Sequence, residues 1–462
     1  MIIPLRHLPL ACVLLFSSQV FAQTDDSDEL GALREEIRLM RSEYESRIAD
    51  LEARLDAAEK KDSETSSRPP VQSAPPVAPS YAAAAVAPSQ SRSGANDNSF
   101  NPAIGAVFQG QAWSYSNDPG DYYIPGFPTA GEAGPAPEGL SLAETEISMS
   151  ANVDDKFTAK LTLPVAVEDG EVSVELEEAW VETMTLPAGL AIRMGRIMSE
   201  IGYMNDRHFH SWDFADQPLP YQAFLGGQYI DDGLQLRWMA PTDFYLELGA
   251  EVFRGGSYPA EGKPGSMVGS TTLSMKTGGD IGFSNSWLFG LSWLDADADG
   301  RESGDADGPL LFTGNTDIYI ADFVWKWAPN GNSRQQNLKF QAEYLWRVED
   351  GDYRLPDGAS GPWDNKQNGW YAQLIYQPFP RWRIGGRYDR LSGDFPGVAW
   401  QGTPLYPMGD DPSRYSLMVD WSNSEFSRLR FQYNHDQASE QTDNQFGLQY
   451  IFSIGAHGAH SF

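Results

Sequence analysis

The 462-residue chain holds one cysteine, Cys12. It sits inside the apolar stretch 8–16, which with Arg6 ahead of it and Val20-Phe21-Ala22 behind it reads as a secretory signal over residues 1–22. Pro9-Leu10-Ala11 fits a lipoprotein box poorly, so a mature chain from about Gln23 keeps no cysteine. That excludes disulfides, thiolate metal sites and a cysteine nucleophile. Beyond the amino terminus no run of 18 apolar residues exists. A membrane-spanning reading is thereby restricted to a closed β-barrel, because only helices and closed barrels satisfy every backbone polar group in hydrocarbon. Basic residues are scarce as well: 33 Lys and Arg against 64 Asp and Glu give a formal charge of −31, which disfavours nucleic acid as a partner. Of the six histidines only His435 falls in an expected strand, and it shares the outward parity of Phe431 and Tyr433. A barrel hydrolase with a Ser–His pair is therefore not expected, and no catalytic residue is assigned.

Residues 30–58 place Leu30, Leu33, Ile37, Met40, Tyr44, Ile48, Leu51, Leu55 and Ala58 at alternating steps of three and four. The spacing predicts a self-associating α-helical coiled coil within 23–60, with a stutter near Tyr44. Residues 61–99 carry Pro69, Pro70, Pro75, Pro76, Pro79 and Pro88 amid Ser and Ala, a composition that stays extended as a linker.

From residue 100 to 462 the pattern has a period of two. In the last stretch Phe446, Leu448, Tyr450, Phe452 and Ile454 oppose Gln445, Gly447, Gln449 and Ser453, which predicts a strand with one apolar face. Leu338, Phe340, Ala342, Tyr344 and Trp346 oppose Lys339, Gln341, Glu343 and Arg347 in the same way. About sixteen such strands can be counted. Their connections alternate between short turns, such as 154–155, 241–243 and 378–381, and long ones at 116–139, 200–232, 295–309, 349–369 and 392–412. The expected fold is all-β, a transmembrane antiparallel β-barrel of about 16 strands with an N-terminal α-helical coiled coil, its charged faces toward a wet lumen. Trp325, Trp327, Tyr376 and Trp382 are expected in the interfacial aromatic girdles.

Arg193, Arg196, Glu200, Arg237, Arg381, Arg383, Arg387, Arg428 and Arg430 are the candidate pore and constriction residues. Stacked guanidiniums would offer anions successive sites, against Glu144, Glu146, Glu247, Glu251 and Asp389. The connection 200–232 holds Trp212, Phe214, Tyr221 and Phe224, too many aromatics to leave in water, and is expected to fold into the pore. Within it His208, His210, Asp213 and Asp216 form a candidate metal set, since imidazole with carboxylate suits zinc, iron or copper. His457 and His460 make a second cluster. Asp295, Asp297, Asp299 and Gly300 repeat the first half of a calcium loop, with Asp305 and Asp307 as substitutes for its missing glutamate. No obligatory cofactor is expected; calcium or zinc at these loop sites is the exception kept open.

The run LAIRMGRIMSEIG at 190–202, followed by DDGLQLRW at 231–238, resembles the phosphate-selective porins. The FNPAI start at 100–104 and the GAHGAHSF ending at 455–462 are similar to the siderophore porins that lack a plug. Met198 and Glu200 stand where the phosphate-selective pattern has Lys and Pro, so its cargo is not carried over. The resemblance implies an outer-membrane porin for passive or substrate-selective uptake of small solutes, metal chelates and metal ions among them. The alternatives are an anion or phosphate-type porin and an energy-coupled receptor. It further implies a homotrimer, contact with outer-membrane lipid and lipopolysaccharide, a coil in the periplasm, and recognition of the terminal Phe462 by the barrel assembly machinery.

Overall fold

The computed structural model describes residues 102–130, 133–168, 171–261, 267–304 and 308–455. The expected signal, coiled coil and linker, His457, His460, Phe462, Asp305 and Asp307 lie outside the described residues. Eighteen antiparallel segments form one sheet, and two pairs of them are halves of a single strand, so sixteen strands close the barrel.

In chain order the strands are β1 (Ala103–Ser114), β2 (Gly139–Leu142 and Thr145–Asn152), β3 (Phe157–Glu168), β4 (Glu171–Val174 and Glu178–Thr183), β5 (Leu190–Met198) and β6 (Ile230–Met239). They continue as β7 (Tyr245–Phe253), β8 (Ser270–Ile281), β9 (Asn285–Ser303), β10 (Leu310–Trp327) and β11 (Asn337–Arg354). The last five are β12 (Ser360–Phe379), β13 (Trp382–Gly393), β14 (Ser413–Ser424), β15 (Ser427–Asp436) and β16 (Asp443–Gly455). Closure is made by β16 on β1, in a register running from Gly105 opposite Gly455 to Ser114 opposite Phe446. No sheet edge is left unpaired among the described strands, as a barrel in hydrocarbon requires.

The alternation read from the sequence sets the faces. On β11 Gln341, Glu343, Leu345, Arg347 and Glu349 are buried toward the lumen, while Tyr344 and Trp346 are exposed. On β16 Phe446, Leu448, Tyr450, Phe452 and Ile454 all face outward. Outward aromatics pack across strands as tilted pairs, with ring centroids 4.6 Å apart for Tyr388 and Tyr415 and 5.1 Å for Tyr433 and Phe446. Such rows are the girdles of a membrane barrel.

Two expected long loops are strand instead. Connections 295–309 and 349–369 are mostly taken up by β9–β10 and β11–β12, which continue their ladders to Ser303 opposite Leu310 and Arg354 opposite Ser360. Strands of 18 to 20 residues exceed the 9 to 11 that cross a bilayer, so they extend past it as ribbons. The acidic residues of the expected calcium loop therefore lie on a strand. Asp295, Asp297 and Asp299 share one outward parity of β9, and Gly300, at φ +84°, is the bulge residue that lets Arg301 turn inward. Two-residue steps along a strand do not wrap carboxylates around one ion.

Candidate functional site

The connection between β5 and β6 does fold into the barrel. Gly202, at φ +65°, turns the chain at its start, and a Cβ there would stand 2.5 Å from a Glu343 carboxylate oxygen. Only glycine fits this close approach. Gly202 N–H donates to Ser292 Oγ on β9 (3.1 Å), and Tyr203 N–H donates to Glu343 Oε2 on β11 (3.0 Å). The segment crosses to β2 and β4, returns to β11–β15, and ends in helix α1 (Leu219–Leu225), all of whose residues are buried. Trp212, Phe214, Tyr221 and Phe224 are buried with Leu345, Tyr371 and Leu391 of the wall or, for Phe214, with Ile375 and Met418. Burial of their apolar area drives the insertion.

Asp213 and Asp216 are anchors rather than metal ligands. Asp213 accepts from Lys339 Nζ (2.9 Å), Arg383 Nη1 (2.9 Å) and Gln373 (3.2 Å). Asp216 accepts from Arg387 (2.8 Å), Arg414 (3.0 Å), Gln432 (2.7 Å) and Asn434 (2.9 Å). Arg430 donates to Trp212 O (2.7 Å) and to Asp420 (3.2 Å). The expected open guanidinium ladder is thus corrected: Arg387 and Arg430 point inward but are shut beneath the segment they hold, and every charge there is matched. Arg383 and Arg428 reach open space, Arg428 donating to His210 O at 2.5 Å.

The two histidines lie on the opposite wall. Three steps on β1 between Val107 and Gly110 face four on β2 between Leu142 and Glu146, and three steps on β3 between Thr162 and Val165 face four on β4 between Val174 and Glu178. Each mismatch is a β-bulge, and the second aims two successive residues, Glu177 and Glu178, into the lumen. His208 Nδ1 stands 3.0 Å from Glu177 Oε2 and 3.4 Å from Glu146 Oε2; its Nε2 is 2.9 Å from Glu178 Oε2. His210 Nδ1 is 2.6 Å from Glu146 Oε1, and the two imidazoles stack at 5.7 Å. Burial pulls the His208 imidazole down, but hydrogen bonds to Glu177 and Glu178 and the Glu146 charge outweigh it and hold it well above its ordinary value.

The remaining candidates separate by geometry. Arg193 pairs with Glu182 (2.7 Å), and Arg237 reaches both Glu182 and Glu200 (3.5 Å), so these line one sector of the lumen. Arg196 shares the outward parity of exposed Met194 and pairs with exposed Asp232 (3.4 Å); it is not a pore residue. Arg381 sits in the turn between β12 and β13 at φ +75°, at the rim rather than on a strand. Sequence reasoning missed Glu177, Glu178, Lys160, Lys339 and Arg414 as site residues. The adjacent pair Glu177-Glu178 within a strand was the legible signal, since two successive charges cannot both obey the alternation.

Below the inserted segment, toward the rim of short turns, lies a cavity of about 1130 Å³. Its lining includes eight Lys or Arg side chains and four carboxylates, with His208 and His210 on one side and Lys339 and Arg383 on the other.

Glu200 at the segment's start is pushed up to about 7, by burial first and then by Glu251 and Glu247 against the pull of Lys276 and Arg237. Folding therefore takes up a proton there between about 4.3, the unfolded value, and about 7, so stability falls as pH rises through that window. Glu200→Gln is expected to flatten the loss of thermal midpoint between about pH 5 and about pH 8, measured in detergent micelles. An unchanged slope would place the titration elsewhere. Burial alone would raise Asp213 and Asp216, yet Lys339 and Arg383 around the first and Arg387 and Arg414 around the second hold both below the carboxylate range. Their contribution is present above about pH 4 and is lost only as pH falls through the lowered values.

No family profile matches the chain. A protein of Aquifex aeolicus (strain VF5), described as uncharacterized, is 35% identical over 345 residues, covering 70% of this chain and 70% of its own. The chain belongs to the family of this Aquifex protein. Among solved structures, the outer membrane channel DcaP of Acinetobacter baumannii matches with a TM-score of 0.50 at 12% identity, over 77% of this chain and 97% of that one. At that identity the likeness concerns the fold, a porin-type barrel. OmpT of Vibrio cholerae, an outer membrane protein in trimer form, is similar at a TM-score of 0.46 and 10% identity, over 77% of this chain and 99% of its own.

Proposed function

We propose that this family is a non-enzymatic outer-membrane porin that passes small solutes and favours anions, its selectivity set by the inserted 199–229 segment. The observation that carries the reading is the cavity lining: eight basic side chains against four carboxylates, in a chain whose formal charge is −31. Basic residues outnumber acidic ones where solute passes, and a cleft with an excess of one sign of charge enriches the opposite ion. Metal chelates enter this reading when they carry net negative charge. A homotrimer in the outer membrane, with the 30–58 coil in the periplasm and Phe462 recognised by the assembly machinery, completes the proposal and rests on the sequence.

Reversal potentials in planar bilayers under a KCl gradient test it. The full protein is expected to prefer chloride, and combined replacement of Arg334, Arg381 and Arg428 by Gln to lower the anion-to-cation permeability ratio about three-fold. Cation selectivity of the unaltered protein would overturn the proposal.

A further inference from the structure

We propose that Glu146, Glu177 and His208 form a binding site for one divalent transition-metal ion on the cavity wall, with His210 beside it. The geometry carries this. One ligand atom from each of the three residues lies within 4.8 Å of the others, and the Nδ1 to carboxylate separations are 3.0 and 3.4 Å. Ligands at about 2.0–2.1 Å around a tetrahedral ion stand about 3.3 Å apart. The two separations from Nδ1 bracket that spacing, and the two carboxylate oxygens lie within 4.8 Å of each other.

Three further features support it. Glu146 comes from a strand, and the β4 bulge is what brings Glu177 into the lumen beside Glu178. Glu146 spans both imidazoles, one oxygen toward His208 and the other 2.6 Å from His210 Nδ1, so a ligating His208 has a neighbour that fixes the carboxylate's orientation. Charge points the same way. Glu146, Glu177 and Glu178 are faced by one ammonium, Lys160, which contacts Glu178 and stands 2.9 Å from His208 Nε2. A ligating His208 gives up its Nδ1 proton, and three carboxylates against one ammonium then leave two negative charges, which a divalent ion cancels. The mixture of imidazole and carboxylate suits zinc, iron(II) or manganese(II), and the fourth position opens on the cavity, since Glu146, His208 and His210 line it. An ion there would bridge the inserted segment to the wall.

Tag-free full-length protein in micelles, freed of metal with a chelator, is titrated with Co²⁺, followed by visible absorption and by displacement with Zn²⁺. One Co²⁺ per chain with tetrahedral-type absorption is expected. His208→Ala and Glu177→Gln should each weaken binding ten-fold or more, while Lys160→Ala, which removes the competing ammonium, should tighten it several-fold. Heat-modifiable electrophoresis confirms that each variant is a folded barrel. Absence of saturable Co²⁺ binding, or binding unchanged by His208→Ala and Glu177→Gln in folded variants, would overturn the site. So would weaker binding in Lys160→Ala. The assay reads no ion flow, so its failure leaves the anion-favouring pore standing, and the reverse holds equally.

Discussion

Replacing residues 203–228 by a short Gly/Ser connection is expected to raise single-channel conductance about three-fold or more, because a sixteen-strand barrel with nothing in its bore leaves an aqueous channel. The ladders flanking the cut do not depend on the segment: β5 and β6 stay paired from Leu190 opposite Trp238 to Met198 opposite Ile230. What the deletion removes is α1, the aromatics packed on the wall and the two carboxylates that neutralise it. Arg387 and Arg414 would lose Asp216, and Arg383 would lose one of its two carboxylates while keeping Asp420. The enlarged pore should therefore also shift further toward anions. Recordings in planar bilayers, with electrophoresis to show that the barrel is folded, decide it. An equal conductance in a folded variant would mean that the segment does not limit flow.

Glu349→Ala should cost about 3–5 kcal/mol of stability in the outer ribbons, the usual consequence of stripping a buried charge pair of one partner. Arg301 is fully buried, donates to Glu349 Oε1 at 2.8 Å and to Tyr353 at 3.0 Å, and lies over the rings of Tyr258 and Phe312. Trp363 donates to the other Glu349 oxygen at 3.0 Å. Arg347 stands 3.8 Å from Glu349 and donates to Ala223 O in α1, which ties ribbon to inserted segment. Without Glu349 the Arg301 guanidinium remains against the apolar cluster of Phe312, Tyr353, Trp363 and Trp400, and Arg347 loses that carboxylate. Replacing the pair together, Arg301→Met with Glu349→Leu, should recover most of the loss, since a well-packed apolar pair avoids the desolvation cost. Denaturant titration and proteolysis of the ribbons measure both. A single replacement that changes neither would show that the pair contributes nothing net.

The strict alternation on β11, β14 and β16 was legible in the sequence because lipid on one side and a wet bore on the other impose a period of two. The insertion of 199–229 was legible from its aromatics, which had no other place to be buried. What failed was anything depending on broken periodicity or distant partners. The bulges in β2 and β4 shift the register by one residue, so a parity reading cannot foresee Glu177 beside His208. Asp213 and Asp216 resemble metal ligands when only ten residues around them are read; their true partners, Arg383 and Arg414, lie 170 and 198 positions away. Alternating Asp and Ala at 295–299 has the composition of a loop, yet a ribbon beyond the bilayer tolerates acidic side chains on its outer face, and the strand simply continues.

The anchors of the inserted segment fix an order of events during assembly. Its carboxylates appear on the chain between β5 and β6, but the groups that hold them are on β11, β13, β14 and β15, and the ring closes only when β16 pairs with β1. Contacts at such sequence separation must wait for the closure of long loops. Until the last strands arrive, Asp213 and Asp216 stay hydrated and the aromatics around them have no wall to bury against. Seating of the two carboxylates therefore depends on strands that follow them by 126 positions or more.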